Sequence, residues 1–350
     1  MKRKSLIAVL LVVLVMSLAS VATAEEKFHW RLQSSWATGL EIQRQVERFA
    51  ELVTKMSGGR LTITALPAGA VVGGLEVFDA VSQGVIDAMN SLSAYWIGKE
   101  PAAPMFSAIP LGMDVMQYYA WYYYGDGLDL MQEMYAKHNI GYAAFCAINP
   151  AEDFLWAHKP ITKLSDFKGL KIRTVGYWGE IATKLGARVV TLPGGELYGA
   201  LEKRIIDAAE FCNPESDFKS GLHEVAKYVH VPGVHQPVSF LELLINKQSW
   251  EKLPEDLQEI VKSAAKASVL EGYVTCLMAD GEALREFEKN KNVIVKLPPE
   301  MIAELKKLAW ELYDEKAAKD PFFKKVWDSQ RKIIAEYDHW ASYMVPPRLD

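Results

Sequence analysis

Cysteine is scarce in this chain: 350 residues hold three, Cys146, Cys212 and Cys276. Their spacing matches no zinc or thioredoxin pattern and each has apolar neighbours, so they read as buried thiols, with one disulfide as the alternative. Catalytic signatures are missing too. There is no G-x-S-x-G, H-E-x-x-H, P-loop or G-x-G-x-x-G sequence, and the seven histidines are scattered without a pair at metal-ligand spacing. No local motif therefore argues for an enzyme, although many active sites carry none. Positive charge is also short: 39 lysines and arginines face 44 aspartates and glutamates, a formal net charge of −5. Such a surface attracts neither nucleic acid nor an anionic membrane. No linker rich in glycine, serine or proline divides the chain into beads. Beyond the N-terminus no run is apolar enough to cross a bilayer.

The N-terminus itself reads as an export signal. Lys2-Arg3-Lys4 is a basic start, Leu6 to Met16 an apolar stretch, and Ala22-Thr23-Ala24 puts small residues where a signal peptidase reads. Cleavage is expected after Ala24, into the periplasm, and loss of the three basic residues takes the charge to about −8. An uncleaved anchor is the alternative, but the apolar stretch is short for a membrane span.

A repeat carries the fold. Phe78 to Ala88 lines up without gaps on Tyr198 to Ala208, with Ala, Ile, Asp and Ala identical at Ala80/Ala200, Ile86/Ile206, Asp87/Asp207 and Ala88/Ala208. Each copy reads as a helix end, a tight turn and a strand entering a core, and a glycine pair precedes each (Gly73-Gly74 and Gly194-Gly195). A helix-to-strand unit used twice predicts two similar α/β lobes with a ligand cleft beyond the carboxyl ends of their strands. Strands are expected at 28–33, 61–66, 139–146, 170–173 and 240–245, and helix-rich chain from Pro254 onward. Chain crossings near 147 and 237 make each lobe discontinuous: 25–147 with about 237–270 in one, 148–236 with part of 271–350 and the C-terminal helices in the other.

Three polar residues fall where such a cleft would lie. Arg173 ends the strand Leu170 to Arg173, and its two parallel donors suit a carboxylate; a surface arginine is the alternative. Glu210 follows the second repeat copy and would repel an anionic ligand unless a cation bridges them. Gln236 lies at a crossing and offers a neutral oxygen.

With these landmarks, from Trp30 to Trp36, Leu164 to Arg173, Leu192 to Tyr198 and Leu244 to Lys247, nearly the whole chain resembles the periplasmic solute-binding subunits of tripartite ATP-independent periplasmic (TRAP) transporters, the DctP-type family. The resemblance implies a type II-like two-lobed periplasmic binding fold with a hinge-spanning helix, closure on a small organic acid, delivery to a membrane permease, and no enzymatic activity. It is closest to the branch binding 2-oxo or 2-hydroxy monocarboxylates, where Na+ or Ca2+ bridges ligand and protein. That branch implies Arg173 on the carboxylate, Tyr95 near the ligand, and Glu210, the Phe211 carbonyl and Gln236 on the cation. Its Asn-Thr-Gly-x-Gln-like segment is replaced here by Asn149-Pro150-Ala151-Glu152, of which Asn149 and Glu152 are expected to face the ligand. Trp178, just after the arginine strand, walls the pocket or packs in the helix core. Glutamate is common where this chain has Gln236, which predicts one negative charge fewer at the cation. Phe211 stands where tryptophan is usual. Some relatives pair through C-terminal helices, so a homodimer through Trp310, Trp327 and Trp340 is an expectation, beside plain core packing. A metal-free C4-dicarboxylate binder, an exported enzyme and a ligand-sensing domain are the alternatives.

Overall fold

Apolar periodicity sets the first layers. The computed structural model describes residues 26–346, so the export leader and its cleavage point lie outside the described residues. Phe28–Ser34 (β1) is extended, and Glu41–Met56 (α1) buries Ile42, Val46, Phe49 and Val53 on one face. Gly58 and Gly59, both at positive φ, end that helix before Leu61–Leu66 (β2). Val77–Ser82 (α2) and Ala88–Ser91 (β3) complete the first repeat copy. Val115–Tyr123 (α3) and Gly127–Ala136 (α4) precede Ile140–Asn149 (β4).

The chain then crosses to a second sheet. Leu155–Ala157 (β5), Lys171–Arg173 (β6), Gly176–Lys184 (α5) and Arg188–Val190 (β7) lead to Leu197–Glu202 (α6) and Ala208–Ala209 (β8), the second repeat copy. Pro214–Lys219 (α7), Leu222–Val225 (α8) and Tyr228–Val231 (β9) follow. Ser239–Asn246 (β10) returns to the first sheet. Lys247–Glu251 (α9), the 35-residue Glu255–Lys289 (α10), Val293–Lys296 (β11), Pro299–Ala317 (α11) and Pro321–Met344 (α12) finish the described chain.

Sheet order makes the duplication explicit. The first sheet runs β2-β1-β3-β10-β4 and the second β11-β9-β5-β8-β6-β7. Read from the β7 edge, the second repeats the first, with β7, β6, β8, β5 and β9 in the places of β2, β1, β3, β10 and β4. In both, the fourth strand is the one that has just crossed from the other lobe, and it pairs antiparallel. The repeat copies therefore occupy equivalent central positions. Their turns match as well: Gly84 has φ 73° and its counterpart Arg204 φ 55°, both left-handed.

Two crossing segments and α10 join the lobes. Glu152 N donates to Gln236 O at 3.2 Å, so the crossing segments lie side by side. Gly233 fits there because a Cβ would stand 2.0 Å from Glu152 O. Helix α10 is about 50 Å long and packs on α1 and β4 in its first half, then on α7 and β11. Gly272 leaves room for Gln45, whose Oε1 a Cβ would meet at 2.1 Å. Gln45 accepts from Ile148 N at 2.9 Å and donates to Ile148 O at 3.0 Å, clamping the last turn of β4 before the crossing.

All three cysteines are buried and free, with no disulfide. Trp327 is 1% exposed and Trp310, whose Nε1 donates to Leu111 O at 3.2 Å, packs edge-on against it. Both belong to the contact of α11 with α12, because an indole buries more apolar area inside than a surface patch would. Trp340 is the exposed one of the three expected at a pairing surface.

Candidate ligand and cation site in the cleft

Strand ends build the site from both lobes. β6 delivers Arg173 and β8 delivers Glu210 at neighbouring carboxyl edges, because β6 and β8 pair parallel with Arg173 beside Ala209. Arg173 is 1% exposed. Its Nε donates to Leu192 O at 3.0 Å and its Nη1 to Glu210 O at 2.6 Å, with Glu210 Oε2 3.4 Å from Nη1. The guanidinium is thus fixed by two backbone carbonyls, and Nη2 remains without a hydrogen-bond partner among the described residues. Burial works against the charge, but Glu210, Tyr95 and Glu152 outweigh it and hold the group firmly protonated. Phe211 lays its ring 5.8 Å from the Arg173 Cζ and is itself seated on Gly194, where a Cβ would meet the ring at 2.2 Å.

The crossing segments add the second half. Glu152, Glu210 and His235, all buried, place one donor atom each within 4.8 Å of one another. His235 Nε2 stands 3.3 Å from Glu152 Oε2 and 3.8 Å from Glu210 Oε2. Gln236 Nε2 donates to Glu152 Oε2 at 2.7 Å. Burial pushes the Glu152 carboxyl up to about 7, against the pull of His235. Burial opposes the His235 charge, yet Glu152 and Glu210 carry its pKa up to about 9. Glu210 shows the balance falling the other way: burial raises it, and Arg173 with His235 brings it below the usual carboxylate range.

Lobe 1 contributes Tyr95, on a 3-10 turn (Ser93–Trp96) after β3. Burial pushes its hydroxyl pKa up to about 12, against the pull of the Arg173 charge. Asn149, at the end of β4, is buried with Nδ2 on Cys212 Sγ at 3.0 Å and Oδ1 unpartnered. Trp178 lies behind His235, packed between Phe154 and Phe167, and serves as core there. A cavity of about 520 Å³ at the cleft mouth is lined from both lobes, including Ser35, Gly74, Tyr95, Gly194, Gly195 and Phe211. One glycine of the first pair and both of the second thus face the same opening.

A model of the bacterial extracellular solute-binding proteins, family 7, matches residues 32–320. The chain belongs to that family, the DctP family. It is accordingly an exported, two-lobed transport protein and not an enzyme. It is 35% identical over 326 residues, 92% of this chain and 88% of the other, to a monocarboxylate 2-oxoacid-binding periplasmic protein of Nostoc. Among solved structures it is similar to a TRAP periplasmic solute-binding protein of Colwellia psychrerythraea with bound calcium and pyruvate. That match has a TM-score of 0.86 and 33% identity, covering 91% of this chain and 98% of that one. It is similar also to one of Pseudoalteromonas atlantica with bound sodium and pyruvate, at the same TM-score and identity, covering 91% and 97%.

Within this DctP chain, sequence reasoning did not single out His235 or the juxtaposition of Glu152 with Gln236. His235 is a lone histidine whose carboxylate partners lie 83 and 25 positions away. The one usable signal was its place beside Gln236 at a crossing. Gln236 is hydrogen-bonded to Glu152, so the cluster holds two carboxyl groups beside a neutral amide. Behind it lie two further buried acids, Asp153 and Asp217, pushed well up by burial and by neighbouring carboxylates, with Trp156 Nε1 donating to Asp217 at 2.9 Å.

Proposed function

We propose that the chain captures a small 2-oxo or 2-hydroxy monocarboxylate, pyruvate being the simplest, together with a calcium or sodium ion, and delivers it to a TRAP membrane permease from the periplasm. The observation that carries this reading is the buried Arg173, with one donor nitrogen free beside a two-carboxylate cluster in an interlobe cleft. The free nitrogen suits the ligand's carboxylate. Hard cations take oxygen donors, so Glu210, Glu152 and Gln236, with the Phe211 carbonyl, are the groups fitted to hold the ion. A bound cation bridges the ligand's second oxygen to carboxylates that would otherwise repel it. His235 is then a charge partner to both acids, since nitrogen suits calcium and sodium poorly. In this reading Tyr95 and Asn149 line the ligand, and the two lobes close about residues 147 and 237. Cleavage after Ala24 and a homodimer using the exposed end of α12 belong to it as well.

Calorimetric titration of the leader-free protein with pyruvate, with calcium chloride and again with chelator, is the test. Tight binding that weakens at least tenfold with chelator supports acid and cation together. Equal binding in both, and again in a sodium-free potassium buffer, supports a metal-free mode, for which the His235 ring between two carboxylates already supplies a positive group. Loss of binding only in the sodium-free buffer assigns the ion as sodium. No binding of pyruvate or other small organic acids under either condition overturns the proposal.

A further inference from the structure

Lobe 1 reaches Arg173 through Tyr95, and the turn that carries Tyr95 is anchored from beneath by a carboxyl outside the cleft. Glu242 is the fourth residue of β10, fully buried among Leu241, Leu243 and Leu244. Tyr135 donates its hydroxyl to Glu242 Oε2. Trp96 Nε1 donates to the same Tyr135 oxygen at 3.1 Å. Ser93 Oγ and Glu242 Oε1 are both buried and without a hydrogen-bond partner among the described residues. The residue after Tyr95 is therefore linked to the Glu242 side chain through the Tyr135 hydroxyl.

A second tie approaches from the other side. Asn90 on β3 donates to the carbonyls of Leu241 and Glu242 at 3.1 and 3.2 Å and accepts from Trp36 Nε1 at 2.7 Å. The Trp36 ring lies 6.4 Å from the Tyr95 ring. A carboxyl in the middle of an apolar strand is costly compared with leucine, and leucine would serve sheet packing alone. What the acid adds is a fixed polar point under the Ser93–Trp96 turn.

We propose that Glu242 is the positioning residue for Tyr95, holding its turn so that the Tyr95 hydroxyl meets Arg173 across the cleft. The inference rests on the reading of Tyr95 and Arg173 as ligand groups. Its test is a double-mutant cycle on Tyr95→Phe, Glu242→Leu and the pair, titrated with pyruvate in calcium chloride and also unfolded chemically without ligand. Glu242→Leu is expected to weaken pyruvate about tenfold, roughly as Tyr95→Phe does, and the pair no further than about twofold beyond Tyr95→Phe. Glu242→Gln, which keeps an acceptor for the Tyr135 hydroxyl, is expected to restore affinity to within about threefold. Tyr135→Phe, a milder change that covers the case where the leucine variant fails to fold, should show the same non-additivity with Tyr95→Phe. Losses that multiply in binding, or wild-type affinity in Glu242→Leu, overturn the proposal. If the wild type binds no pyruvate, the ligand reading fails by itself. The unfolding cycle still decides the coupling: independence of Glu242 and Tyr95 there refutes it, and coupling sustains it.

Discussion

Two lobes with the same strand order carry different chemistry at equivalent places. In lobe 2 the carboxyl ends of β6 and β8 present a buried arginine and an ionised glutamate. In lobe 1 the chain after β3 presents a phenol, and β1 ends in Ser34, which donates to Gln43 Oε1 at 2.5 Å. Duplication thus copied the scaffold and not the charges. One lobe with the crossing segments holds the ionic groups, each braced by neighbours, while the other supplies a neutral phenol that faces them. This division fits the energetics, since buried ions need their partners already in place and an aromatic cover does not.

The sharpest way to break the comparison is to remove one group from each side. Arg173→Ala should weaken pyruvate on the order of a hundred- to a thousand-fold, because Glu210 is left buried without its cation. Tyr95→Phe should cost about tenfold, the scale of one hydrogen bond to a charged group. Calorimetric titration of both in calcium chloride decides, and equal losses would end the asymmetry.

Glu242 in lobe 1 and Glu210 in lobe 2 should also answer pH with opposite sign. Burial pushes Glu242 up to about 8, opposed by Tyr135 and Ser93. Its contribution to stability is complete below the ordinary carboxyl range and is lost as pH rises through 8, at up to about 1.4 kcal/mol per pH unit. Glu210 is held below its ordinary range, so its contribution is present above that range and is lost as pH falls. Denaturant unfolding between pH 5 and about 8 should therefore show a smaller fall in Glu242→Gln than in wild type. Parallel curves would contradict the assignment.

The smallest effect lies in the repeated turn. Arg204 occupies a left-handed position that its counterpart fills with Gly84. Arg204→Gly should stabilise by up to about 1 kcal/mol and Gly84→Ala should destabilise by about as much, read from denaturation midpoints. The same sign for both would mean the two turns are not equivalent.

The duplicated segment was legible because four identical residues kept their spacing, and it located the equivalent strands β3 and β8. Arg173 and Glu210 were legible for the same reason: each ends a short strand whose pattern is local. Pairings that span the crossings were not. Glu152 meets Gln236 across 84 positions and Tyr135 meets Glu242 across 107, and no periodicity links such partners. Trp327 follows the simpler of its two accounts, core packing, because α11 covers it, although a tryptophan spaced along a helix carries no sign of which face is covered. The buried acids behind the site, Asp153 and Asp217, sit in segments that read as ordinary loop and helix start.

The grip of Gln45 on Ile148 has a mechanical consequence. With both backbone groups of that residue held and Gly272 letting the long helix bear down on the grip, β4 cannot flex where it ends. In the closure proposed above, rotation between the lobes falls on the few residues beyond, and these include Glu152, facing His235 and Gln236 on the adjoining strip. In any lever the points beside the fulcrum travel least. On that proposal the carboxylate, imidazole and amide sit at the fulcrum and would keep company through the swing, whereas Tyr95, carried by lobe 1 away from the crossing, would move against Arg173.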